Sequence, residues 1–146
     1  MSLESGGEGG ILGTMNLRLH HVAFSVRDIE ESIAWYKSTF DAEVIERYSR
    51  HDMEIAHLKI VGARLELFSS PAGMEALPEY RKNLTSDLAV IGTKHVCLET
   101  DDLDVLEKTL KEKGVELVTK INTAGFGGRY VFIKDPNGIL IELYQA

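Results

Sequence analysis

Apolar residues along this chain recur at two periods, and the succession of periods is written twice. From Leu17 to Val26 they alternate, with Val22, Phe24 and Val26 pointing one way and His21, Ala23 and Ser25 the other, as in a strand with one buried face. Asp28 then offers an N-cap, with Glu31 three residues on as in a capping box. Ile29, Ile33, Tyr36 and Phe40 follow at helical spacing and predict an amphipathic helix over about 29–40. Val44 to Tyr48, Glu54 to Val61 and Arg64 to Ser69 read as strands, the last after a turn at Gly62. Between Ser70 and Gly92 the periodicity fades: Pro71, Gly73 and Pro78 interrupt it, and a short helix fits near Pro78–Leu84. A connection this long is either functional or a linker between units.

The first pattern then returns. Lys94 to Glu99 resembles His20 to Ser25, Asp102 caps a second helix carrying Leu103, Leu106 and Leu110, and Gly114 ends it. Val115 to Val118, Arg129 to Lys134 and Ile139 to Tyr144 supply three more strands, the last two joined by the turn Asp135-Pro136-Asn137-Gly138. His21 and His95 stand 74 residues apart, as do Asp28 and Asp102, while Glu66 and Glu142 stand 76 apart. The fold class implied is α+β: two βαβββ modules over 16–70 and 93–146, joined by a linker over 71–92. Each is too small to bury its sheet alone, so pairing buries the helix-side faces and leaves two curved sheets facing each other. Residues 1–15 hold five glycines, lack periodicity and lack the basic start of a signal peptide, and read as a tag-like or disordered extension.

The repeat also duplicates chemistry. Each module has a histidine on its first strand and a glutamate on its last, 45 residues apart in one and 47 in the other. In each strand these oppose the most apolar set, so His21, Glu66, His95 and Glu142 all point to the concave side. Two imidazoles and two carboxylates converging there make a divalent metal site with room for water. The donor set suits nickel, cobalt, zinc, manganese or iron, one ion per site.

Composition narrows the partners. Twenty-three acids against 16 bases give a net charge of −7, which argues against a nucleic-acid partner. No apolar run approaches the roughly 20 residues that span a bilayer. The single cysteine, Cys97, excludes an intrachain disulfide and fits a reducing, cytoplasmic setting.

His21-Val22-Ala23 with Asp28-Ile29, Leu65-Glu66-Leu67, His95-Val96, Asp135-Pro136-Asn137-Gly138 and Ile141-Glu142-Leu143 together resemble the vicinal oxygen chelate superfamily, over about Leu17 to Tyr144. That group includes glyoxalase I, methylmalonyl-CoA epimerase, fosfomycin-resistance enzymes, extradiol dioxygenases and bleomycin-resistance proteins. The resemblance implies a half-barrel of paired βαβββ modules around one metal. Two histidines with two glutamates is the glyoxalase I-like set; the epimerases usually carry an amide where Glu66 stands. It implies a lyase or isomerase moving a proton through an enediolate, with Glu142 as principal base and Glu66 as opposing shuttle. Ser25 and Ser70 stand where glyoxalase I has an arginine and an asparagine, so the implied substrate is another thiol adduct or α-hydroxycarbonyl compound. Other readings within the superfamily are an epimerase, a dioxygenase, or a ligand-holding protein of bleomycin-resistance type.

Around this set, Arg64 shares the face of Glu66 as a candidate for an acidic substrate. The glycine-rich loop Gly125–Gly128 and Arg129 are candidates for a substrate anion, and Tyr130 and Phe132 for the cavity wall. Trp35 lies off the helix stripe as a candidate contact in an expected homodimer. His20 and His57 have no counterpart in the other module and read as structural, and Cys97 reads as filler.

Overall fold

The computed structural model describes residues 15–146, so the extension expected over 1–15 lies almost wholly outside the described residues. The first module is β1 (Val22–Ser25), α1 (Ile29–Phe40), β2 (Glu43–Arg50), β3 (Met53–Ile60) and β4 (Ala63–Ser69). A 3-10 turn (Glu79–Lys82) and a short helix α2 (Leu84–Leu88) occupy the connection. The second module is β5 (Val96–Glu99), α3 (Leu103–Glu112), β6 (Asn122–Thr123), β7 (Arg129–Lys134) and β8 (Leu140–Gln145). Each forms a four-stranded mixed sheet, ordered β1-β4-β3-β2 and β5-β8-β7-β6. The α+β class and the duplication expected from the periodicity are both present.

Local chemistry explains the helices. Asp28 Oδ1 accepts from Glu31 N at 2.9 Å, and Asp102 Oδ1 from Val105 N at 3.0 Å, so both first turns are capped as expected. α1 buries Ile29, Ile33 and Tyr36, and α3 buries Leu103 and Leu110. These join Leu58, Leu65 and Leu67 of one sheet and Val131, Ile133, Ile141 and Leu143 of the other in one continuous core. Trp35 packs beside that core, 4.8 Å from the Tyr36 ring and 5.7 Å from Phe40.

The modules are stapled where α1 meets the β7–β8 turn. Tyr36 Oη donates to Asp135 Oδ2 at 3.0 Å, Asn137 Nδ2 reaches Ser32 Oγ at 3.2 Å, and Arg27 N donates to Asn137 Oδ1 at 2.8 Å. Asp135 Oδ1 also accepts from the backbone of Asn137 (2.8 Å) and Ile139 (2.9 Å), so this buried carboxylate is fully bonded. Lys113 Nζ closes the other end on Ser38 O at 2.7 Å.

Two strands differ from expectation. The strand expected from Leu17 begins only at Val22, and Leu17 and Leu19 are exposed. The strand expected over Val115–Val118 is reduced to one bridge, Leu117 to Ile133, and the edge strand is β6 instead. Thr119 Oγ1 accepts from Phe132 N at 3.1 Å, so a side chain takes the amide that a continued ladder would have paired. Among the described residues no helix is long and apolar enough to cross a membrane.

Candidate functional site

Strand pairing decides which side chains share the concave face. β1 runs parallel to β4 with Ala23 opposite Glu66, and β4 runs antiparallel to β3 with Glu66 opposite His57. In the second sheet Cys97 is opposite Glu142, and Glu142 is opposite Phe132. Each glutamate therefore sits in the middle of a cross-strand row, with its histidine two residues before the row and one residue ahead of the first strand.

The four expected ligands meet two by two. His21 Nε2 lies 3.0 Å from Glu66 Oε2, and His95 Nε2 lies 2.8 Å from Glu142 Oε2. Two ligands at adjacent corners of one ion, each about 2.1 Å from it, stand about 3 Å apart, so both spacings suit a shared ion. The donor types fit a borderline divalent metal, and each pair supplies half of a four-residue set. No hydrogen bond or ion pair joins one half to the other among the described residues, and no group of three or more His, Cys, Asp or Glu there is arranged to hold a metal ion.

Two residues read from the sequence as structural, His57 and His20, and one given no role there, Tyr48, stand at the first pair. His57 Nε2 lies 3.1 Å from Glu66 Oε1, Tyr48 Oη lies 3.5 Å from the same oxygen, and His20 Nδ1 lies 2.8 Å from His21 Nδ1. His57 and Glu66 are buried while His21 is exposed. Desolvation, then the Glu66 charge, raises the Tyr48 phenol above its ordinary pKa and keeps it a donor. The signal for His57 was in the sequence: a two-residue turn at Val61-Gly62 pairs Ile60 with Ala63 and so His57 with Glu66.

At the second pair, Phe132 packs edge-on against His95 with ring centres 4.9 Å apart, and Tyr130 packs on Phe132 at 5.9 Å. Both expected wall residues thus lie at the His95–Glu142 half. Cys97 shares this face; desolvation first, then Glu142 and Glu99, pushes its pKa up to about 11, which suits an unreactive thiol. Arg64 stands two residues before Glu66 on β4.

Arg129 is a correction. Alternation along β7 puts it with Val131 and Ile133 on the helix side, away from Tyr130 and Phe132. Its guanidinium binds both oxygens of Asp104 (3.2 and 2.9 Å) and Gln145 Oε1 (2.9 Å). The preceding glycines are tethered as well, with Tyr144 Oη donating to Gly127 O at 2.9 Å.

A cavity of about 710 Å³ opens between the modules, walled by β1, residues 74–78 of the connection, the start of β5 and the β7–β8 turn. His95 is on its wall and connects it to the second pair; Val22, Phe24, Leu77 and Ile139 make it largely apolar.

Comparison with known proteins agrees with the fold. The chain is 30% identical over 134 residues to the mitochondrial methylmalonyl-CoA epimerase of Bos taurus, covering 88% of this chain and 74% of that protein. It is 28% identical over 135 residues to the ethylmalonyl-CoA/methylmalonyl-CoA epimerase of Cereibacter sphaeroides, covering 88% and 98%. The structure superposes on a glyoxalase family protein from Enterococcus faecalis with a TM-score of 0.72 at 25% identity, covering 87% and 96%. Residues 18–143 match the family described as Glyoxalase/Bleomycin resistance protein/Dioxygenase superfamily, and the chain belongs to that superfamily.

Proposed function

We propose that this protein is an epimerase that moves a proton at the carbon α to a thioester carbonyl, on a 2-alkylmalonyl-CoA or a close analogue. The observation that carries the chemistry is the pair of carboxylates, one per module, each in contact with an imidazole on the same cross-strand face. The substrate class rests on the two epimerases to which the chain is similar over most of its length. This moves the expectation from the lyase reading to its epimerase alternative. Both reactions begin by taking a proton beside a carbonyl.

His21, Glu66, His95 and Glu142 are the residues that would hold a divalent ion, which supplies Lewis acidity toward the carbonyl oxygen and so acidifies the adjacent C–H. Glu142 takes the α-proton: the C–H bond breaks, its electron pair moves toward the carbonyl oxygen, and an O–H bond forms on the carboxylate. Glu66, from the other module, starts the turnover protonated and gives that proton to the opposite face, its O–H bond breaking as the new C–H bond forms, and exchange with water resets both carboxyls. Phe132 and Tyr130 keep water from the carbon that has lost its proton. The inter-module cavity takes part of the acyl thioester. Completion of the four-residue set belongs to a homodimer, the His21–Glu66 half of one copy facing the His95–Glu142 half of its partner.

The test is proton exchange. Protein loaded with cobalt or nickel is incubated with methylmalonyl-CoA in D2O, and deuterium at C2 and loss of optical activity are followed. The expected result is metal-dependent exchange that Glu142→Gln lowers by about 100-fold or more. Isomerisation of hemithioacetals with no exchange on the thioester would return the assignment to the lyase. That second reading is favoured by one residue, the carboxylate at Glu66.

A further inference from the structure

The two modules set out the same three-residue row and differ in it where each carboxylate is gripped. In the first sheet the row is Ala23, Glu66 and His57; in the second it is Cys97, Glu142 and Phe132. His57 and Tyr48 take Glu66 Oε1 and His21 takes Oε2, so both oxygens are engaged. The Phe132 side chain has no donor to offer, and among the described residues Glu142 is held at Oε2 by His95 alone. The imidazoles follow suit: His21 Nδ1 is braced by His20, whereas His95 Nδ1 is buried with no hydrogen-bond partner among the described residues. His57 Nδ1 is likewise buried and unpartnered, so the ring directs its one hydrogen bonding nitrogen at Glu66.

We infer that His57, assisted by Tyr48, is a positioning residue for Glu66: it fixes the first module's carboxylate in one orientation, while Phe132 at the matching register leaves Glu142 free to turn. The proposal rests on the reading above only in taking Glu66 and Glu142 as metal-holding carboxylates. A ligand already locked by its neighbours loses little freedom when an ion binds, so its half of the site sets the affinity. A carboxylate held through one oxygen keeps the other for a proton. The two copies of one supersecondary unit thereby hold their carboxylates differently, the first fixed in orientation and the second with room to turn.

The test is metal affinity, read by Co2+ and Ni2+ competition against a chelating dye and by the visible absorption of the Co2+ form. His57→Phe, which copies the second module, is expected to weaken binding about 10- to 100-fold and alter the Co2+ spectrum. His57→Gln, which keeps a donor toward Glu66, is expected to bind within about threefold of wild type. Tyr48→Phe, at a partly exposed position outside the core, tests the same grip should His57→Phe not fold, with a loss of about threefold or more. Unchanged affinity in both the Phe variants overturns the proposal. So does equal loss in His57→Phe and His57→Gln, which would mark packing rather than positioning, and so does a wild type that binds neither ion. If the expected order of affinities holds but no α-proton exchanges on the thioester, the epimerase reading fails and the role of His57 stands.

Discussion

Glu66 gathers an imidazole on each oxygen and a phenol besides, in a setting where little water reaches it. A carboxylate taken out of water needs such partners, since an uncompensated buried charge costs several kcal/mol. The same kind of pairing brings each of the expected histidines, His21 and His95, to its glutamate, each histidine one residue ahead of its module's first strand. With protein purified in the absence of chelator, His95→Ala is expected to lower bound divalent metal from about one ion per chain to about a tenth of that, measured by elemental analysis. His57 was missed because a residue without a counterpart looked incidental, although counting back from the Val61-Gly62 turn places it opposite Glu66. Arg129 was misplaced for the converse reason. Its charge beside a glycine-rich loop suggested a contact to a substrate anion, but its alternation with Val131 and Ile133 puts it on the helix side.

Elements were legible wherever a period was long or a cap was explicit. α1 was expected over about 29–40 and spans Ile29–Phe40, because its apolar stripe and its Asp28 cap agree. β6 was not legible, since two residues carry no period and the competing Thr119 hydroxyl is visible only in three dimensions. The β3–β4 turn is strained: Val61, a β-branched residue, has φ of 40° and its side chain lies in solvent. Val61→Asn gives the turn its preferred Asn-Gly pair, and chemical denaturation is expected to show a gain of about 1 kcal/mol. The α1 staple can be tested in the opposite direction. Tyr36→Phe removes one donor to the buried Asp135 carboxylate and is expected to cost about 2 kcal/mol. Burial, then the Asp135 charge, raises the Tyr36 pKa, so the phenol's contribution is complete below about pH 10 and is lost as pH climbs past its folded value. Wild type should therefore lose stability above pH 10 more steeply than Tyr36→Phe, with the phenolate absorbance of this one tyrosine appearing only on unfolding.

At the scale of the molecule, the four-residue set is divided into halves, and the concave face of the first is open. Val44, Ile45 and Tyr48 on edge strand β2 are exposed, as are Leu17 and Leu19 ahead of β1. A twofold pairing of two chains would cover such a face and form two equal sites. Mixed dimers test this. His21→Ala and His95→Ala chains, each inactive alone, are expected on unfolding and refolding together to regain about a quarter of wild-type metal sites and exchange activity, since half the dimers carry one intact site of two. No recovery would place all four ligands in one chain.

The staple between Asp135 and α1 has a last consequence, for autonomy. Although the chain reads as one unit written twice, the first unit buries Tyr36 against a turn contributed by the second. Severed near residue 70, either half would present to solvent a surface made for its sibling. Neither is expected to persist as a folded fragment, whereas co-expressed halves are expected to find each other and reconstitute the whole.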